Sequence, residues 1–397
     1  MLDLFSKELC RDPYPLYAAL REASPVFEEP RTGLWLILDH AGVKQALEDP
    51  AAFSSRAAPP ESTPGRWFIF ADPPRHARLR GLVSKAFTPR SIAALEPRIR
   101  QIARELIGAR LADGELDVAV DLAIPLPLLV IGELLGAPTS DLQRLRRWSD
   151  SMVGLVHTLS GGEAGARAEV AYGAASAEMQ SFLAALIEER RALPKDDLLS
   201  RLLAADLDGE RLSGDEIFAF FQLLLLAGHE TTTNLIGNAV LSLAEHPAEL
   251  DRLRARPELL PATIEEVLRY RAPVQMAFRR TTREVPLHGK TIPANKLVLL
   301  AIGSANRDPA QFKEPDRFDP GRDQGPHLAF GRGIHFCIGA ALARLEARIA
   351  IGELLARTTQ LELIPERPWE PRQSLHVHGP TSLPVRFQPA PARAAGL

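Results

Sequence analysis

The chain has 397 residues, 46% of them hydrophobic and 24% charged, the balance of a globular protein with a core rather than of a disordered or fibrous chain. A formal net charge of -3 provides no basic field that would draw the protein onto nucleic acid, and two cysteines, Cys10 and Cys337, are too few for the disulfide scaffold of a secreted domain. The start, Met1-Leu-Asp-Leu-Phe-Ser-Lys-Glu8, has acidic residues where a signal peptide would have a basic start and an apolar run, and the apolar stretches 122–135 and 217–228 are shorter than the ~20 residues that cross a bilayer. A cytoplasmic protein without a membrane anchor is expected.

In chain order, apolar residues recur at helical spacing over 14–21, 92–111, 177–191, 217–244, 261–270 and 338–355. Apolar runs flanked by Gly, Pro or polar residues predict strands at 34–38, 285–287 and 297–302, with others near Leu361 and Val385. The predicted fold class is mainly α with small β-sheets. With no internal repeat and no linker of Gly/Ser or Pro, one domain over 1–397 is expected. The segment 54–66 reads as a Pro-rich loop and 160–175 as a Gly/Ala-rich stretch, both bordering a binding site, and 388–397 as a disordered Ala/Pro tail.

Six stretches carry candidate chemistry. Asp72-Pro-Pro-Arg-His-Ala-Arg-Leu-Arg80 opens like a helix with Asp72 as N-cap, putting His76 and Arg80 four apart on one face. Ser213-Gly-Asp-Glu216 is a capping box for a helix that is apolar on every side until Ala227-Gly-His-Glu-Thr-Thr232, a polar cluster that is costly to bury without partners or a purpose. Within it Gly228 leaves room for a ligand, and Thr231 can bond inside the helix and open its ladder.

In Pro261-Ala-Thr-Ile-Glu-Glu-Val-Leu-Arg-Tyr270, Glu266 and Arg269 share a helix face. Phe278-Arg-Arg-Thr281 offers two adjacent cations, Arg279 and Arg280, and Pro315-Asp-Arg-Phe318 offers Arg317. Finally, Phe330-Gly-Arg-Gly-Ile-His-Phe-Cys-Ile-Gly339 sets Cys337 in a glycine-studded loop leading into a helix from about Ile338. A helix N-terminus favours the thiolate, the form that binds metal. Each stretch also has a plain structural reading: a solvated face, a local helix kink, a surface ion pair, a buried thiol.

The spacing of Phe330, Gly331, Gly333, His335, Cys337 and Gly339 resembles the haem-binding signature of the cytochrome P450 family, and the resemblance extends over nearly the whole chain, from about Asp12 to Val385. It implies a single-domain haem-thiolate monooxygenase, with haem b between the long central helix and the cysteine-loop helix and Cys337 as axial ligand to the iron. Glu230 and Thr231 match the acid–alcohol pair that delivers protons during activation of O2. His76, Arg80, Arg279 and His335 match the donors to the haem propionates, with Arg280 a competitor of Arg279. Glu266, Arg269 and Arg317 match a structural Glu-Arg-Arg triad; Arg283 departs from the family pattern, where an acid is common.

The resemblance further implies electrons from a separate ferredoxin and its reductase, since no dinucleotide fingerprint and no cysteine cluster for an iron–sulfur centre is present. Their docking would be near the cysteine face, where Arg332 and Arg344 offer positive charge. The substrate is expected to be a largely apolar small organic molecule, roofed by 54–70, 148–172, 223–227, 274–278 and 376–383, and the enzyme a monomer. The competing readings are a hydrogen-peroxide-driven peroxygenase and a non-catalytic haem sensor or carrier; Glu230 and Thr231 weigh against both.

Overall fold

A computed structural model describes residues 7–30, 32–58, 63–137, 142–154, 162–323 and 325–391. By their contacts these fall into two compact units, one of Met1–Ala57, Leu95–Leu126 and Thr231–Leu397, the other of Ala58–Ala94 and Pro127–Glu230. Helix predominates and the sheets are small, as the periodicity predicts.

The first unit is organised on a five-stranded sheet in the order Val26–Glu28, Trp35–Ile37, Leu297–Ala301, Met276–Thr281 and Phe53–Ser54. Its neighbours run antiparallel except for Trp35–Ile37 beside Leu297–Ala301. Ile37, Phe53, Val298 and Leu300 are completely buried in the cluster that this sheet forms with Val43, Ala46 and Leu47 of the helix His40–Glu48. That helix starts where Asp39 accepts the Gly42 N–H at 3.0 Å. The expected strands near Leu361 and Val385 pair as Thr358–Leu363 with Pro384–Pro389. Gln388 and Pro389 thus belong to a strand, and the Ala390 N–H donates to the Arg357 carbonyl at 2.8 Å, so the irregular tail expected from 388 begins later; 392–397 lie outside the described residues.

The second unit is helical: Arg75–Ala86, Leu142–Gly154, Gly162–Ala192 and Leu198–Ala204. Trp148 packs edge-on against Phe182 and Phe221, with ring centroids 5.3 and 6.2 Å away. The Gly/Ala-rich segment 160–175 is helical from Gly162, because alanine, its commonest residue, is the best helix former; residues 160 and 161 lie outside the described residues. Pro125 and Pro127, within the apolar stretch 122–135, open the helix Pro125–Leu134. In the first turn their missing N–H groups have no intrahelical partner to lose.

The central helix, Gly214–Glu245, spans 32 residues and bears the predicted capping box: the Ser213 N–H donates to Glu216 Oε2 at 2.9 Å and the Glu216 N–H to Ser213 Oγ at 3.2 Å. It remains helical through Glu230 and Thr231. Among the described residues no helix is long and apolar enough to cross a membrane.

Glu266 and Arg269, on the helix Leu260–Tyr270, form a completely buried pair joined by two bonds of 2.8 Å. The third member beside this pair is Arg322, whose Nε donates to Glu266 Oε1 at 3.2 Å. Arg317 does not fill that place: its side chain is 59% exposed and turns to Glu314 and Asp319, and it is its carbonyl that accepts from Arg269. Replacing Arg269 with Met strips a buried carboxylate of its main partner and should cost about 3–5 kcal/mol, read as a lower urea midpoint at nearly constant m-value. Arg317→Met should remain within about 0.5 kcal/mol of the parent.

Candidate active site

Cys337 lies in a loop whose shape depends on two glycines, Gly331 and Gly333, at φ of +69° and +66°. A Cβ on Gly333 would stand 2.8 Å from the Leu47 carbonyl oxygen, so the loop seats against the end of the helix His40–Glu48 only without a side chain there. Gly333–His335 form a 3₁₀ turn, and the Cys337 N–H donates to the Phe330 carbonyl at 2.9 Å. The following helix starts at Ala340 rather than Ile338, with Gly339 as N-cap. Cys337 is half-buried, its Sγ 3.9 Å from where a Gly339 Cβ would be. The sulfur is therefore at the positive end of the helix, which favours a thiolate.

In the central helix, residues 232–243 are all buried, while Ala227 is exposed and Gly228 and Thr231 are half-exposed. Ala227 and Thr231 are one turn apart, so a small accessible face opens in the middle of an otherwise enclosed helix. Glu230 beside it is buried, 8% exposed. Gly228 has a packing role that the sequence does not reveal: its Cβ would come within 3.0 Å of Ile131 Cδ1 on the neighbouring helix.

The matched cations fall on different elements. In the second unit, His76 is buried on the helix Arg75–Ala86, and burial, then the charge of Arg80, lowers its pKa, leaving a neutral ring donor at neutral pH. This helix starts two residues later than expected, with Pro74 as N-cap, and the Asp72 carbonyl accepts the His76 N–H at 3.0 Å. In the first unit the pleat separates Arg279 from Arg280: Arg279 is buried and donates to the Phe278 carbonyl, while Arg280 reaches the Asn295 carbonyl at the surface. His335 is half-buried in the turn before Cys337.

Of the segments expected to roof a pocket, 274–278 and 376–378 meet through Gln275 N–H to the His376 carbonyl at 2.7 Å and Phe278 ring to His376 ring at 5.3 Å. Parts of 54–70 and of 148–172, namely 59–62 and 155–161, lie outside the described residues. Two polar contacts escaped the sequence reading. Gln222 accepts from Trp67 Nε1 at 3.4 Å and donates to the Tyr172 hydroxyl at 2.8 Å, and His229 Nδ1 lies 2.9 Å from Ser149 Oγ, both residues buried. Gln222 is the one polar residue in the apolar run 217–226, a signal that could have marked it.

The family model for cytochrome P450 matches residues 168–385. The chain is 44% identical to cyclomarin C epoxidase from Salinispora arenicola, over 93% of this chain and 94% of that one, and 41% identical to a vitamin D(3) 25-hydroxylase from Pseudonocardia autotrophica, over 98% and 97%. The crystal structure of CYP109E1 from Bacillus megaterium with corticosterone superposes with a TM-score of 0.88 at 39% identity, covering 96% of this chain and 99% of that one. The fold and the cysteine loop thus define a haem-thiolate protein, and the chain belongs to the cytochrome P450 family, whose members are O2-using monooxygenases.

Replacing Gly333 with Ala forces a side chain into both an unfavourable φ and the Leu47 carbonyl. The purified variant should carry markedly less haem per chain than the parent, measured by pyridine haemochrome, with unchanged far-UV circular dichroism.

Proposed function

We propose that this chain binds haem b through Cys337 and hydroxylates or epoxidises a largely apolar small organic molecule, using electrons from a separate ferredoxin and its reductase. The observation that carries this is the half-buried Cys337 sulfur over a helix N-cap, in a loop shaped by two left-handed glycines. By the resemblance, Arg279, Arg80, His76 and His335 would be the donors to the two haem carboxylates, and each is a residue type able to donate to one. When bound, haem with a thiolate ligand supplies the site of O2 reduction, and the thiolate's electron density favours O–O cleavage.

The protein's own part is to hold and move protons. One oxygen atom enters the substrate and the other leaves as water, which takes up two electrons and two protons. Thr231, half-exposed on the open face of the central helix, can hold a water or pass a proton through its hydroxyl, and the Glu230 carboxyl next to it can take up protons and hand them on. This pair favours a monooxygenase over a peroxide-driven enzyme or a non-catalytic haem sensor, neither of which needs proton delivery.

The vitamin D and corticosterone in the names of relatives support an apolar substrate. The enzyme is read as a cytoplasmic monomer folded as one domain, with the electron donors docking near the cysteine face.

The dithionite-reduced parent under carbon monoxide should show the strongly red-shifted Soret band of thiolate haem, and Cys337→Ser should lose it; the same band in both sinks the ligand assignment. Thr231→Ala should keep the haem but divert electrons to hydrogen peroxide. Unchanged coupling of electron use to product in that variant would remove Thr231 from proton delivery.

A further inference from the structure

Arg344 is not a free cation awaiting a partner protein. Its Nε and Nη2 donate to Oε1 and Oε2 of Glu265 at 2.6 and 2.8 Å, a parallel fork, and its guanidinium carbon lies 4.5 Å from the centroid of the Phe330 ring. Glu265 also accepts from His327 Nε2 at 3.0 Å. The Ala329 N–H donates to His327 Nδ1 at 3.2 Å, so the neutral ring carries its proton on Nε2, the tautomer that donates to Glu265.

Burial by itself would raise the Glu265 pKa, but the hydrogen bonds from Arg344 and His327 outweigh it and hold the value at about 2. The carboxylate stays ionised throughout the physiological range. The Phe330 carbonyl beside this network accepts the Cys337 N–H at 2.9 Å. A cation clamped by one carboxylate therefore sits in the second turn of the helix that the sulfur precedes, against the ring of the residue whose carbonyl holds the Cys337 N–H.

We propose that Arg344, clamped by Glu265 and His327, is a positioning residue for the Cys337 thiolate, bracing the Phe330 backbone that holds the Cys337 N–H and setting, by its partly neutralised charge, how readily the thiolate-ligated centre is reduced. The inference rests on the reading of Cys337 as haem ligand. Reduction adds one negative charge to the centre, so a nearby cation favours the reduced state and a nearby anion opposes it. Docking of a ferredoxin would use the same charge in another way, through association rate and salt dependence, and would leave the potential of the isolated enzyme unmoved.

The test is the midpoint potential of the purified holoenzyme, titrated without any partner protein. Arg344→Leu should shift it negative by about fivefold in the reduction equilibrium, about 40 mV at 59 mV per tenfold for one electron. Glu265→Gln, which leaves the arginine unneutralised, should shift it positive by a similar amount. Arg344→Lys, which keeps the charge and loses the fork, and the neutral double variant Arg344→Leu/Glu265→Leu should both stay within about twofold of the parent.

Equal potentials throughout, or shifts of the same sign for Arg344→Leu and Glu265→Gln, would overturn the assignment. Should Glu265→Gln not retain haem, a double variant as displaced as Arg344→Leu alone overturns it equally. The reduced-CO spectrum separates the two failures: an intact thiolate band with unmoved potentials defeats only this inference, whereas a parent band of histidine type defeats the haem-thiolate reading itself.

Discussion

Glu266 is an ionisable group with no exposure to water, and much of the unit that carries Cys337 is arranged around keeping it satisfied. Its carboxylate accepts four hydrogen bonds, two from Arg269 and one each from Arg322 and the Asp319 N–H. A charge so enclosed is tolerable only with that many donors. Arg269 spends its remaining donors on the carbonyls of Asn306, Pro315 and Arg317. Asn306 Oδ1 then accepts the Leu328 N–H at 2.7 Å, and the Leu328 carbonyl accepts the Gly331 N–H at 2.8 Å. The cysteine loop is thus suspended, bond by bond, from a buried ion cluster well away in sequence.

The central helix solves a different problem. An apolar rod is cheap to bury, but polar residues at 229–233 must each find a partner. Thr233 finds one in the Ala123 carbonyl at 2.9 Å and His229 in Ser149. These bonds are made on the enclosed sides of the helix. The small face at Ala227 and Thr231 is left accessible.

Second contacts of this kind recur where single residues carry function. Arg344 illustrates it: a cation that seems available from its position in the chain is committed to Glu265 and to the face of Phe330, and through Phe330 to the loop of Cys337. In the proposed arrangement the environment of the Cys337 sulfur depends on groups seven and seventy-two positions away in the chain.

The sequence by itself determined the helical class, the capping box of the central helix, the cysteine loop and the pairing of Glu266 with Arg269. All of these are local: residues within a few positions share a helical turn, a cap or a tight loop whatever the rest of the chain does. What it left open depended on partners distant in the chain. Whether Arg317 or Arg322 reaches Glu266 follows from the path of 313–322, along which the Arg322 guanidinium is bound by the carbonyls of Lys313, Glu314 and Arg317. Whether Arg279 or Arg280 faces inward follows from the register of its strand against Leu297–Ala301, because the pleat sends neighbours to opposite sides. Gly228 against Ile131, His229 with Ser149 and Arg344 with Glu265 were likewise decided by tertiary structure alone, since only packing brings such pairs within reach and no spacing along the chain encodes them.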